Sequence, residues 1–283
     1  MTLLKPEHID MESKMITAKI AGITRHRIET DGPGIRTLVH LSRCPLLCRY
    51  CLNPELRSGR PEKPYTPEQL MKELERDDVY FRASGGGVTF SGGEPACRSD
   101  FIERFRSICP EHWTVAIETS LNVLPKHLEK LIGSIDLWIV DIKDMDGGIY
   151  HKYTGVANRR VLENLRYLAK HVSKERVLVR VPLIPWFNTP ADVQASIKAV
   201  EEMGFRTETF TYVTEPEQSP GDGKPEYIDL LGDLVDPKAI TDTHPEGERK
   251  MFWKKFVERI NQEMPLMGII DFNMTEGDDN EWD

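Results

Sequence analysis

From residue 66 onward the apolar positions switch repeatedly between two spacings. Residues 67–76, PEQLMKELER, carry them at helical intervals, with Thr66 as N-cap and Pro67 at the first helical position. GVTF (87–90) is a short strand closed by SGGEP, and SDFIERFRSI (99–108) returns to helical spacing. The same exchange repeats three times: strand WTVAIET (113–119) and helix VLPKHLEKLI (123–132), strand IDLWIVDIK (135–143) and helix NRRVLENLRYLAK (158–170), strand ERVLVRVPLI (175–184) and helix PADVQASIKAVEEM (190–203). Gly204 suits the end of that last helix, and RTETFTYV (206–213) reads as one more strand. Ahead of the alternation, ITAKIAGITRHRI (16–28) alternates partly, and IRTLVHL (35–41) is strand-like.

Strand–helix alternation of this kind predicts an α/β fold with a parallel sheet and helical crossovers. The almost unbroken apolar run IDLWIVDIK implies a strand buried on both faces. Six such strands are too few for a full eight-fold barrel, so a partial barrel and an open doubly wound sheet both fit the periodicity. Past residue 213 the pattern breaks. A Pro/Gly-rich stretch is followed by GERKMFWKKFVERINQE (247–263), an amphipathic helix by its spacing, and by an acidic ending. The expected organisation is a core over 16–213 and a C-terminal extension over 214–283.

Composition narrows the function. The net charge of −9 argues against a nucleic-acid surface. No run of about 18 apolar residues occurs, which argues against a membrane span. The first residues lack the apolar stretch of a signal peptide, so a cytoplasmic location is expected. There are five cysteines, an odd number, and three of them fall in CPLLCRYC (44–51). That is a poor disulfide framework, and in a reducing compartment clustered thiols are metal ligands or redox groups more often than bridges.

Cys44, Cys48 and Cys51 follow a strand, in a stretch where Pro45 and Pro54 discourage regular structure. Thiolates suit zinc or iron–sulfur clusters. A structural zinc site needs four protein ligands, and His40 is the nearest fourth. Three cysteines on a cubane cluster instead leave one iron open, which marks catalysis. Spacing favours that cluster over zinc or inert thiols without deciding the matter. Cys97 and Cys109 lack the spacing of a second cluster and read as structural thiols.

CPLLCRYC resembles the radical S-adenosylmethionine signature. DGPGIR (31–36), GGVTFSGGEP (86–95), DLWIVDIKDMD (136–146), TGVANRRVLENL (154–165) and VRVPLIP (179–185) resemble, in order, segments of the glycyl-radical-enzyme activating enzymes, the family of pyruvate formate-lyase activating enzyme. The resemblance implies a partial (β/α)6 barrel with a C-terminal extension. It implies a [4Fe–4S] cluster on Cys44, Cys48 and Cys51, S-adenosylmethionine on its open iron, and hydrogen abstraction from a glycine of a partner glycyl radical enzyme.

It also implies roles for particular residues. Gly92, Gly93 and Glu94 would meet the methionine moiety, or Glu94 would fix the loop. Asp141 and Lys143, two apart on a strand and so on one face, fall in the active site, either on the cofactor or as a buried ion pair. Met145, Asp146 and Gly147 follow them toward the cofactor. Arg180 suits the cofactor carboxylate or a neighbouring acid. Tyr50 and Leu52 flank the third cysteine, where an aromatic ring would pack on adenine or line the loop. Glu118 and Asp141 match two positions that hold a monovalent cation, although Glu118 replaces an Asp there. Asp31 stands where the family meets its partner's glycyl loop, and it is also a natural turn residue.

The chain departs from the family in three places. Residues 54–84 are too short for the eight-cysteine ferredoxin insert of many activating enzymes, so a flavodoxin or ferredoxin is the expected electron donor. ETSL (118–121) stands for ETSG, and TFTYVTEPEQSP (209–220) lacks the histidine of the family's Pro-Tyr-His segment. Two other readings remain open at this point: a radical enzyme acting on a small molecule, and a metal-binding module without catalysis.

Overall fold

The structure, a computed structural model, describes residues 16–28, 30–58 and 62–212. The expected extension over 214–283, its aromatic helix and the last residue of the expected 206–213 strand lie outside these residues. The strands are β1 (Ala18–Ile28), β2 (Ile35–Leu41), β3 (Lys63–Tyr65), β4 (Gly87–Gly92), β5 (Thr114–Thr119), β6 (Leu137–Asp141), β7 (Val177–Arg180) and β8 (Arg206–Glu208). The α-helices are α1 (Pro54–Ser58), α2 (Pro67–Leu74), α3 (Asp78–Ser84), α4 (Ser99–Ile108), α5 (Pro125–Leu131), α6 (Gly147–Thr154), α7 (Arg159–His171) and α8 (Pro190–Glu201).

The sheet order is β3-β1-β2-β4-β5-β6-β7-β8. β1 runs antiparallel to β2 and β3, whereas β2–β4, β4–β5 and β5–β6 are parallel. From β2 onward the parallel strands lie side by side in chain order, apart from the edge strand β3. A doubly wound sheet reverses its order at a switch point, whereas consecutive order is the winding of a barrel. The order therefore decides between the two architectures that periodicity leaves open.

Local chemistry accounts for the helix starts. Thr66 and Thr189 each cap a helix that opens on proline, with a complete capping box to Gln69 and Asp192. Two sequence expectations need correction. Pro54 does not discourage structure but opens α1, because proline is tolerated where the first helical N–H has no partner. The strand expected over 206–213 ends at Glu208, after which Thr211 makes only an isolated parallel bridge to Leu183. Single propensities do not distinguish a ladder from one bridged residue.

The chain divides into two compact units. Among the described residues, the first comprises 16–47, 51–140 and 159–178, and the second comprises 48–50, 141–158 and 179–212. In the first, α2 packs on α4 and α4 on α5. Phe90 meets Phe105 edge-on at 5.3 Å, and Phe81 meets Trp113 at 4.9 Å. In the second, Tyr50, Tyr153, Ile184, Phe187 and Tyr212 form a buried cluster.

One buried charge shapes the first unit. Arg36, on β2, is 1% exposed and donates to Thr89 Oγ1, Thr114 Oγ1 and the carbonyls of Pro33, Val88 and Thr114. Burial lowers its pKa to about 10, so the guanidinium stays charged at neutral pH. Its bond to Pro33 ties the DGPG turn to the sheet. Arg36→Met, which orphans those acceptors, is expected to lower unfolding free energy by roughly 3 kcal/mol, read as a shifted urea midpoint.

Candidate active site

The cysteine loop leaves the end of β2. Ser42, Arg43 and the residues through Asn53 belong to no helix or strand. Arg43 holds a left-handed φ of 78°. Its carbonyl accepts the Glu94 N–H at 2.8 Å, while the Leu41 carbonyl accepts the Gly93 N–H at 2.8 Å. The root of the cysteine loop and the SGGEP turn are therefore one hydrogen-bonded backbone assembly.

That assembly explains both glycines. Gly92 has φ +104°, and a Cβ on Gly93 would stand 2.1 Å from the Arg43 carbonyl oxygen. The glycines are required by a neighbouring backbone, whatever else approaches them. Glu94 is 1% exposed, and its carboxylate accepts from Ala96 N, Thr119 Oγ1, Ser120 N and Ser120 Oγ. Burial raises its pKa, against the pull of those four donors. Of the two roles open to Glu94 in the sequence, the geometry is that of fixing the loop.

The Ser120 end of this network depends on strain. Leu121 follows at φ 59°, a region that suits glycine, yet its side chain is fully buried. Asn164 on α7 clamps the turn, its Nδ2 donating to the carbonyls of Leu121 and Val123 at 2.8 Å each. Nothing in the TGVANRRVLENL stretch advertises Asn164 for this task, and sequence reasoning missed it.

Asp31 sits in the turn before β2 and is 6% exposed. Its Oδ2 accepts from Arg27 Nε at 2.7 Å and from Thr30 Oγ1 at 2.8 Å, and its carbonyl accepts from Thr89 Oγ1. Asp31, through this bond and its charge, raises the Arg27 pKa, and Glu118 adds a smaller contribution of the same sign. Asp31 and Glu118 thus lie in one electrostatic neighbourhood. Glu118 itself accepts from Ser91 Oγ at 2.6 Å. His40 bonds Thr24 Oγ1 at 3.0 Å, and its pKa is lowered by burial, so its ring is engaged on β1.

The second unit holds the DIK residues. Lys143 pairs with Asp141 Oδ2 and donates to the Tyr212 hydroxyl at 2.9 Å. Burial opposes its charge and is the largest single influence, but Asp141 foremost, with Tyr212, Cys48 and Tyr153 acting in the same direction, together outweigh it. The ammonium is held well above its usual pKa and stays charged through neutral and mildly alkaline pH. Its contribution to stability is present below the unfolded-state pKa of about 10.4 and is lost only above it. Asp141 Oδ1 is buried with no hydrogen-bond partner.

The other expected residues fall as follows. Asp146 caps α6, accepting from Gly148 N and Ile149 N. Met145 N donates to Ser196 Oγ, and Met145 O accepts from Asn158 Nδ2. Gly147 opens α6. Arg180 pairs with Glu208 at 3.0 Å. Tyr50 is buried against Phe187, edge-on at 5.6 Å, and Leu52 is 78% exposed. Sequence reasoning missed the ring cluster of Tyr153, Phe187 and Tyr212, which no local spacing links to the cysteines.

Cys44, Cys48 and Cys51 are half-buried, and none is in a disulfide. Cys44 and Cys51 belong to the first unit and Cys48 to the second. Among the described residues no three His, Cys, Asp or Glu side chains stand ready as a metal-holding group. The donor set nevertheless suits an iron–sulfur cluster with one open iron. In the second unit the buried Lys143 ammonium and the orphaned Asp141 Oδ1 suit a polar ligand carrying both a carboxylate and an amino group.

A consecutively wound sheet whose glycine turn and cysteine loop are bonded at the strand ends is consistent with the partial barrel of radical S-adenosylmethionine enzymes. The family model described as the radical SAM superfamily matches residues 38–198, and the chain belongs to that family. Its members use a [4Fe–4S] cluster and S-adenosylmethionine.

Curated relatives are more particular. The (2S)-3-sulfopropanediol sulfolyase activating enzyme of Bilophila wadsworthia is 28% identical over 269 residues, covering 74% of this chain and 88% of that protein. The 4-hydroxyphenylacetate decarboxylase activating enzyme of Clostridioides difficile is 32% identical over 225 residues, covering 57% of this chain and 71% of that protein. An alignment of 225 positions that draws on only 57% of this chain means that the relative carries an internal stretch with no counterpart here. Among solved structures, Streptococcus suis SuiB matches with a TM-score of 0.50 and 16% identity, over 79% of this chain and 45% of SuiB, which speaks to the fold alone.

Proposed function

We propose that this chain activates a glycyl radical enzyme by removing a hydrogen atom from a glycine of that partner. The observation that carries the reading is its likeness to activating enzymes along most of their length. When bound, the reduced cluster supplies the electron that splits S-adenosylmethionine into methionine and a hydrogen-abstracting 5′-deoxyadenosyl radical.

The chain's own residues orient and shield. Cys44, Cys48 and Cys51 hold the cluster. The assembly joining Arg43 to Gly93 and Glu94 fixes the cysteine loop against the glycine turn. Lys143 offers a charged donor and Asp141 an acceptor to the cofactor's methionine end. The aromatic cluster around Tyr50 keeps water from its unit's interior. The electron comes from a flavodoxin or ferredoxin, since neither Cys97 nor Cys109 has the spacing of a second cluster. The reading implies a reducing, anaerobic cytoplasm; among the described residues no helix is long and apolar enough to cross a membrane.

Asp31 is proposed as the residue that meets the partner's glycine loop. Asp31→Ala frees Arg27 and loosens the turn. It is expected to leave S-adenosylmethionine cleavage without partner within about twofold, while radical transfer falls at least tenfold. The assay is 5′-deoxyadenosine yield alongside the glycyl-radical EPR signal. Equal loss of both would move Asp31 to the cofactor site. The function itself is tested by incubating the reconstituted enzyme with glycyl radical enzymes of several substrate classes and recording the radical doublet.

A further inference from the structure

Lys143 is a buried ammonium with three protons to place. One goes to Asp141 Oδ2 and one to the Tyr212 hydroxyl. The third has no partner among the described residues. Two fixed acceptors leave only one direction for that third N–H, as expected for tetrahedral nitrogen. Tyr212 lies beyond the described end of β8 and is 8% exposed. Its ring is held by Tyr153 at 6.3 Å and Phe210 at 5.3 Å, so the hydroxyl is presented by a rigid support. Lys143 Nζ also lies 5.5 Å from the Tyr212 ring centroid, so ring and hydroxyl act on the same charge.

We propose that Tyr212 is a positioning residue that aims the free N–H of Lys143 at the carboxylate of bound S-adenosylmethionine. The inference rests on the proposed function and adds a residue to its cofactor site. A phenol does this without carrying charge. Burial raises the pKa of Tyr212, although the Lys143 charge opposes the shift, so the hydroxyl remains protonated at neutral pH. It accepts from Lys143 through oxygen and keeps its own proton for a second acceptor. The aromatic cluster serves the same end: Tyr153 and Phe187, 5.0 Å apart, brace the ring that carries the hydroxyl.

Tyr212→Phe isolates the role, because it keeps the ring, its packing and the attraction between Lys143 and the ring face. Lys143 then has one acceptor instead of two and is free to swing about Asp141. Binding of S-adenosylmethionine to the reconstituted protein, followed by titration calorimetry without reductant, is expected to weaken about tenfold, the range of one charge-assisted hydrogen bond. In turnover the same factor should appear in KM, with kcat within about twofold, since the bond is made in the ground state as well. The melting temperature of the unligated protein should move little.

An unchanged dissociation constant and KM in Tyr212→Phe, with wild type binding normally, would overturn the role of Tyr212 and leave the proposed function standing. A tenfold fall in kcat at constant KM would also overturn it, because that places the hydroxyl in the chemical step. If the wild-type protein itself bound no S-adenosylmethionine, the proposed function would fall, and this inference with it.

Discussion

Replacing Cys48 by alanine is expected to abolish the [4Fe–4S] cluster and all reductive cleavage of S-adenosylmethionine. A cubane on three thiolates already leaves one iron without a protein ligand. Losing another thiolate leaves two irons unheld. No other described cysteine substitutes: Cys97 and Cys109 lie outside the loop, and burial raises both thiol pKa values, that of Cys97 to about 11. Cys48 also acts on Lys143, favouring its charged form. Anaerobically reconstituted Cys48→Ala protein should lack the broad absorbance of the wild-type cluster and form no 5′-deoxyadenosine with dithionite. The apoprotein should keep its secondary structure, since Cys48 is only half-buried. Retained cleavage would refute the assignment of the three ligands.

Gly93→Ala is the second substitution with a large expected effect, and it works through backbone alone. The added Cβ would stand 2.1 Å from the Arg43 carbonyl oxygen and 2.5 Å from its carbon. Neither is the end of a flexible side chain, so the backbone must give. The bonds Gly93 N–Leu41 O and Glu94 N–Arg43 O then break or lengthen together. Glu94, buried among four donors, is dragged with them. We expect a loss of roughly 3 kcal/mol in stability, with cluster incorporation reduced because Arg43 immediately precedes Cys44. Iron content per chain and the chemical-denaturation midpoint read the two effects. A stable Gly93→Ala protein with full iron content would show that the junction between the two loops is not what holds the site.

Much of the fold was legible because its signals are local. The change from period 2 to period 3.6 marks the elements, and Thr66 and Thr189, each followed by proline, mark two helix starts. What stayed hidden depends on distant partners. α1 was obscured because Pro54 breaks a helix interior but opens a helix start, and composition cannot say which applies. The Thr209–Tyr212 segment looks like a strand by propensity, yet after Glu208 only Thr211 finds a bridge.

The candidate site divides in the same way. Spacing and resemblance single out the cysteines, the glycine turn and the DIK pair as candidates. Their second roles were not. The sequence left Glu94 either meeting a ligand or fixing the loop, and only its four donors show the latter geometry. Arg180 pairs with Glu208, a partner 28 residues away that its strand position does not advertise. Leu121 in ETSL looks like a simple departure from glycine; its φ of 59° puts a buried leucine in a conformation that suits glycine, with Asn164 holding the turn. The departure at 209–220 likewise gains content from Tyr212, whose link to Lys143 spans 69 residues of chain.

The central claim is that Cys44, Cys48 and Cys51 would hold an iron–sulfur cluster, which would supply the electron for S-adenosylmethionine cleavage that feeds a partner's glycine. The most direct test is EPR of an anaerobic mixture of reduced enzyme, S-adenosylmethionine and a candidate glycyl radical enzyme, with 5′-deoxyadenosine measured in the same tube. The account predicts a glycyl doublet on the partner and about one 5′-deoxyadenosine per radical formed. A partner that stays diamagnetic in every pairing, with 5′-deoxyadenosine instead accumulating only when a small-molecule substrate is added, would contradict it.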